Sequence, residues 1–472
     1  MTTTGQAGPA MPVPAAGGAA VPVRAPGAGD VPPPAPGAAT VSSPAPGAAA
    51  VAPAPGATGP GPGGVRGRRI AGLRRGLPLL GPAFVASIAY VDPGNVAANM
   101  TAGSRYGYLL LWVVVASSAM AVFIQYRSAA LGIVSGRSLP ALLAERLGPR
   151  QRIAFWAQAE VVAAATDLAE VVGGAIALQL LFRLPLALGG LIVGVVSLAL
   201  LATQNHSGQR RFELAVMALL TIIVLGFLAG LVLRPPSAAG VVAGLLPRFR
   251  GSDSVLLAAS MLGATVMPHA IYVHSALARD RHGHAETPQQ RHRLLAATRW
   301  DVGAALAVAG AVNVGLLLLA AAGLSGVPGT DSIEGAHRVI ASVLGAGVGI
   351  AFSIGLLASG LASTSVGAYA GAVVMGDLLH RRVPVAVRRA VTMVPAIALL
   401  ALGADPTLTL VVSQVVLSFG IPFALVPLVR LAHDEAVMGD RRTGPVQHAV
   451  LWIVAGLIVA LNLGLLAVLI VG

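Results

Sequence analysis

From about Pro82 to Gly472 the chain alternates long apolar runs with short polar or arginine-bearing interruptions, and most runs are apolar on every side. A helix of that kind is surrounded by lipid or protein, and about 20 such residues cross a bilayer. The spacing predicts about eleven membrane helices, centred near Ala89, Ala119, Asp167, Val195, Ile222, Thr265, Val308, Ala358, Ala396, Leu417 and Ala460. Two of the runs are interrupted internally. The first contains Ser87-Ile88-Ala89-Tyr90-Val91-Asp92-Pro93-Gly94-Asn95, and the sixth contains Gly263-Ala264-Thr265-Val266-Met267-Pro268-His269. Both read Ala-x-x-(Asp or Met)-Pro, starting at Ala89 and at Ala264. In transporters built from two inverted halves, broken helices at corresponding positions point to an ion site near the midplane. The two breaks are read as the two halves of one site.

Composition agrees with the pattern. At 472 residues, 56% hydrophobic and only 10% charged, the chain is too apolar for a soluble protein and is expected to be an all-α polytopic membrane protein. A net charge of +13 raises the question of nucleic acid, but the cations form short clusters between apolar runs rather than a face. The bilayer is the expected partner, and nucleic acid is not. The chain contains no lysine, so arginine alone reports topology. Clusters at 137–152, 210–211, 279–299, 381–389 and 430–442 fall on one side, leaving Arg105, Arg183, Arg234, Arg248, Arg250 and Arg338 on the other. The positive-inside rule then puts the N-terminus in the cytoplasm and, with an odd helix number, the C-terminus outside, in a multi-pass protein of the cell membrane.

On this count helices one to five (76–235) and six to ten (252–432) form inverted repeats, and an extra helix occupies 447–471. Residues 1–65 are different material, rich in Ala, Pro and Gly, with only Arg24 and Asp30 charged and Pro-Ala-Pro-Gly-Ala recurring at Pro34, Pro44 and Pro53. They are expected to be a disordered tail ahead of a single transmembrane domain, 66–472. There is no cysteine, so a metal has only oxygen, nitrogen or thioether donors to bind.

The breaks supply such donors. Proline removes a backbone donor and, with Gly94, favours leaving the helix, which frees carbonyls such as those of Ala89 and Ala264. Asp92 adds a charged hard oxygen, Asn95 a neutral one, and Met267 a polarizable sulfur. Hard oxygens alone suit Mg²⁺ and Ca²⁺, whereas a thioether shifts preference toward ions such as Mn²⁺ and Fe²⁺. Met267 alone is ordinary core filler and Asn95 alone could tie down loose backbone. An intramembrane carboxylate beside a helix break is functional by default, and the matching of two breaks is what neither isolated reading predicts.

These residues resemble the Nramp family (natural resistance-associated macrophage proteins), proton-coupled importers of manganese and iron. Asp92-Pro93-Gly94-Asn95 and Met267-Pro268-His269 look like its two signature motifs, and the likeness runs from about Gly81 to the C-terminus. The resemblance implies a LeuT-type inverted-repeat fold with the metal held by Asp92, Asn95, Met267 and the carbonyls of Ala89 and Ala264. Ser413-Gln414 and Phe419-Gly420-Ile421-Pro422-Phe423 resemble the family's helix ten, which makes Gln414 a candidate ligand in an occluded state. Two positions depart from the family: Leu361 and Ala372 stand where it usually has glutamine. Met267 argues against the family's magnesium-transporting offshoot, which lacks that residue.

The third span carries Glu160, Asp167 and Glu170. At 100° per residue, Asp167 lies about 20° and Glu170 about 80° around the axis from Glu160, so the three form one acidic stripe. Such a stripe marks a proton or ion pathway, or else a structural ion-pair network with Arg388 and Arg389 of the ninth span. By resemblance, Asp167 and Glu170 with Arg388 and Arg389 match the family's proposed proton exit route. Asp92 itself is a further candidate proton carrier, expected to release a proton as metal arrives. His269 and His274 follow the second break, and His269 is read as a gating or proton-relay residue set against an ordinary buried histidine. His282, His284 and His292 lie in a basic loop, read as solvated rather than as a regulatory metal site.

The expected function is proton-coupled import of Mn²⁺ and Fe²⁺ by alternating access, by a monomer needing no cofactor. The alternatives are a sodium-coupled organic-solute carrier of the same architecture and a metal channel. The first requires room and donors for a carboxylate or amine, the second repeated acidic or carbonyl rings along a pore. No nucleophile–base pair or phosphate loop in the apolar core suggests an enzyme.

Overall fold

The computed structural model describes residues 87, 89–203, 231, 235–283, 285, 287–381 and 383–471. The fifth expected span, centred at Ile222, the basic segment 66–75 and the tail 1–65 lie outside these residues, as does His284. Of the other expected helix centres, Ala89 falls in a 3₁₀ turn and the rest fall inside described α-helices.

A 3₁₀ turn at Ala89–Val91 leads into α1, Pro93–Tyr106. There follow α2 (Leu111–Ser135), the short α3 (Leu139–Arg146), α4 (Pro149–Phe182), α5 (Leu186–Thr203) and the short α6 (Ala238–Gly244). The second half holds α7 (Gly251–Thr265), α8 (Pro268–His282), α9 (Pro288–Gly323), α10 (Ile333–Leu344), α11 (Ala346–Leu379), α12 (Val385–Ala401) and α13 (Pro406–His433). The chain ends with α14 (Glu435–Met438) and α15 (Pro445–Val471). Counting α7 and α8 as one broken run, 7 of the described helices are long and apolar enough to cross a membrane. The short helices α3, α6, α10 and α14 were not foreseen, because none is long enough to register as a span.

Helix starts follow local chemistry. Proline opens α1, α4, α8, α9, α13 and α15, where its missing N–H would be unbonded in any case. Asp92, Ser138, Thr287, Ser332 and Asp405 each accept a backbone N–H at the N-cap.

Long α4 packs against α5, α11, α12 and α13, while α1 packs on α7, α9 and α13, and α8 on α2, α11 and α13. Helix α13 therefore touches all three pieces that flank the breaks. Side chains such as Val161, Val195, Val308, Val391 and Ile453 point outward, and polar residues including Asn95, Gln125, Asn313 and Gln414 are buried. That inversion suits a bundle whose solvent is lipid, where polar groups must be satisfied internally.

Candidate functional site

The first break forms because Asp92 caps α1. Its Oδ1 accepts the backbone N–H of Asn95 at 2.8 Å and the Asn95 side-chain amide at 2.7 Å. The second break is two non-helical residues, Val266 and the extended Met267, between the end of α7 and Pro268 at the start of α8. The carbonyl of Ala264, in the last turn of α7, lacks a continuing helix to bond to. It accepts the Asn95 side-chain amide at 2.9 Å, joining the two breaks.

Gln414 of α13 lies against both. A Cβ built on Gly94 would stand 1.9 Å from Gln414 Nε2, and one built on Gly263 would stand 1.9 Å from the Gln414 carbonyl. Only glycine allows approaches this close. Asp92, Asn95 and Gln414 are at most 1% exposed. Each keeps one oxygen, Asp92 Oδ2, Asn95 Oδ1 and Gln414 Oε1, with no hydrogen-bond partner among the described residues. Three buried oxygens left without donors are costly unless something else satisfies them. A cation does so. Met267, 1% exposed, sits at the N-cap of α8, and Ala89, equally buried, opens the 3₁₀ turn ahead of Asp92. Among the described residues no group of three or more His, Asp or Glu is arranged for a metal, so a site here draws on amide, carbonyl and thioether donors instead.

A polar shell fixes the first break. The Asn313 side chain of α9 donates to the Tyr90 carbonyl at 3.0 Å and accepts from Asn99 at 3.1 Å. Ser359 of α11 donates to the Val91 carbonyl. The Tyr90 hydroxyl accepts from Gln125 at 2.5 Å, and Gln125 Oε1 bonds His274 Nδ1 at 2.9 Å. Asn99, Gln125 and Asn313 are not among the site residues predicted from sequence. The signal was available, because each is an isolated amide in an apolar run, the criterion that singled out Asp92.

Each carboxylate of the acidic stripe finds an arginine. Arg389 of α12 donates to Asp167 at 2.6 Å, to Glu170 at 2.8 Å, to Thr364 at 3.0 Å and to Ser197 at 3.0 Å, and is 1% exposed. Arg388 pairs with Glu160 at 2.9 Å. Thr392 also donates to Asp167. Three acids against two arginines leave the cluster one negative charge in excess if all are ionised. His269 Nδ1 lies 3.3 Å from Thr166 Oγ1, whose own proton is directed to the Val162 carbonyl at 3.0 Å. That leaves the histidine as donor and links α8 to the residue beside Asp167.

His282 ends α8 and His292 stands in the second turn of α9. Leu361 and Ala372 are half-buried on α11, whose contact with the first break runs through Ser359 instead.

Comparison with known proteins matches these features to one family. The chain is 57% identical over 394 residues to the divalent metal cation transporter MntH of Mycobacterium tuberculosis H37Rv, covering 84% of this chain and 92% of that protein. It superimposes on a crystal structure of the Eremococcus coleocola manganese transporter with a TM-score of 0.72 at 30% identity, covering 81% and 85% of the two chains. The nucleobase-cation-symport-1 transporter Mhp1 shares the fold alone, with a TM-score of 0.56 at 15% identity over 83% and 91% of the chains. This is the LeuT-type fold that the family resemblance implied. The family model of natural resistance-associated macrophage protein-like chains matches residues 83–468, and the protein accordingly belongs to the Nramp family of membrane transporters and is not an enzyme.

Proposed function

We propose that the protein imports divalent transition-metal ions, Mn²⁺ and Fe²⁺ foremost, in company with protons. The observation that carries this reading is that Asp92 Oδ2, Asn95 Oδ1 and Gln414 Oε1 are each buried and without donors among the described residues, on residues that adjoin where the two breaks are joined. The metal and manganese transport stated for the relatives is consistent with it.

Asp92, Asn95, Gln414, the Ala264 and Ala89 carbonyls and the Met267 sulfur are the proposed ligands. The carboxylate offsets the ion's charge, the end of α7 presents its negative dipole, and the thioether disfavours Ca²⁺ and Mg²⁺. Asp92 gives up a proton as the ion enters. His269 and Thr166 carry protons toward Asp167, Glu170 and Glu160, whose charges Arg389 and Arg388 hold. The inverted-repeat architecture supports alternating access, one bundle rocking against the other around the breaks. The arginine distribution supports a cytoplasmic N-terminus and an external C-terminus in the cell membrane, and the protein acts as a monomer.

The test is Mn²⁺ uptake into proteoliposomes under a large excess of Ca²⁺ and Mg²⁺, with an internal pH dye. Uptake with acidification is expected, and both should vanish in Asp92→Asn. Uptake without acidification would reduce the acidic stripe to structure, and uptake abolished by the competing ions would overturn the metal assignment.

A further inference from the structure

A second polar site lies away from the breaks. Between α2, α9 and the segment joining α13 to α15 there is a cavity of about 970 Å³, lined by Arg127, Arg299, Arg441 and Arg442 with Asp440 as the one acid. Asp440 is taken up by Arg291 and Arg441, both at 3.3 Å, and Arg442 by Glu435 at 2.8 Å. Arg127 and Arg299 have no carboxylate partner among the described residues.

Arg127 is the unusual member. It is 7% exposed, its Nη2 donates to Gln447, and its guanidinium sits 5.4 Å from the Tyr126 ring centre and 5.9 Å from that of Phe123. Its Nε has no hydrogen-bond partner among the described residues. A buried guanidinium without a counter-charge inside a membrane helix is costly, and an anion entering the cavity relieves that cost.

The remaining walls identify the anion's carrier. Trp300, 77% exposed on α9 beside Arg299, marks the level of the headgroups, since indole rings favour that layer. Above the arginines the wall is apolar, formed by Val122, Gly303 and Ala304, and a Cβ built on Gly303 meets nothing within 4 Å. A charged floor at headgroup depth continued by an open apolar groove fits a phosphate with acyl chains attached, whereas a soluble phosphate has no use for the groove.

We propose that this cavity binds the headgroup of an anionic phospholipid, the phosphate at Arg127 and Arg299 and an acyl chain along Gly303. On the orientation proposed above it opens to the cytoplasmic leaflet. Because α2 packs on α8, which begins at the second break, the bound lipid braces a helix adjoining the transport site.

The test is native mass spectrometry of the purified full-length protein, titrated with phosphatidylglycerol, phosphatidylcholine or inorganic phosphate. Wild type should retain phosphatidylglycerol over phosphatidylcholine. Arg299→Gln should weaken retention about fivefold, the effect of one interfacial arginine, and Gly303→Leu, which fills the groove without touching charge, should weaken it as well. Both residues are surface-accessible, so neither variant endangers folding. Equal retention of the two lipids, or unchanged retention in both variants, would overturn the proposal. Displacement of the lipid by an equal concentration of inorganic phosphate would do so too, since the ligand would then be a soluble anion. None of these readouts depends on metal transport.

Discussion

Asn95, in the first break, donates its side-chain amide to the carbonyl of Ala264 in the second, 2.9 Å away across 169 positions of sequence. One short side chain thereby holds the Asp92 carboxylate and the end of α7 together, and its own oxygen has no partner among the described residues. Asn95→Ala removes both the tether and a proposed ligand. Mn²⁺ affinity should fall about 10- to 100-fold, as for groups that orient metal ligands, measured by calorimetric titration; an unchanged affinity would remove Asn95 from the site.

Met267 bears on selectivity rather than on affinity as such. With the sulfur gone, the remaining donors are all hard oxygens, which bind Ca²⁺ and Mg²⁺ as readily as Mn²⁺. Met267→Ala should therefore retain uptake while making Mn²⁺ transport sensitive to millimolar-range Ca²⁺. If competition curves match wild type, the thioether plays no part in the choice of ion.

Close approach of α7 to α13 depends on Gly263. Its built Cβ lies 1.9 Å from the Gln414 carbonyl, a backbone atom that cannot swing aside. Gly263→Val should lower stability by about 1–3 kcal/mol, the usual cost of overpacking, visible as a lower melting temperature in detergent. Gly376→Ala on α11, where the added carbon meets nothing within 4 Å, provides the control and should be neutral or slightly stabilising.

Arg389 is the keystone of the buried charge cluster. Arg389→Met leaves Asp167 and Glu170 without their cation, which costs about 3–5 kcal/mol for a fully buried pair. Poor folded yield is expected, with partial rescue when Asp167→Asn is added, because the second substitution removes one of the stranded charges. The double variant should then show metal uptake with diminished acidification. Full acidification there would exclude these residues from the proton route.

How much of this was legible beforehand is clearest at the acidic stripe. The angular arithmetic put Glu160, Asp167 and Glu170 on one face of one helix, and that follows from helix geometry alone. Which arginine each acid meets depends on the packing of α12 against α4, and Arg388 and Glu160 are 228 residues apart. Gln414 was identifiable only by resemblance, whereas its contact with Gly94 and Gly263 makes it part of the junction on geometric grounds. Arg127 escaped notice because an arginine toward the end of a span reads as an interfacial charge. Only the cavity beside it and an Nε without a partner among the described residues set it apart.

The sequence by itself determined that the chain is a helical membrane protein, where its helices are broken, and that an acid, an amide and a thioether stand at the breaks. It could do so because lipid makes each polar or helix-breaking residue in an apolar run expensive, so every such residue carries information at its own position. The tertiary structure alone decided which of these groups meet. A bond from Asn95 to Ala264, or from Arg389 to Asp167, is set by how helices far apart in sequence pack, and pairwise packing leaves no trace in local periodicity.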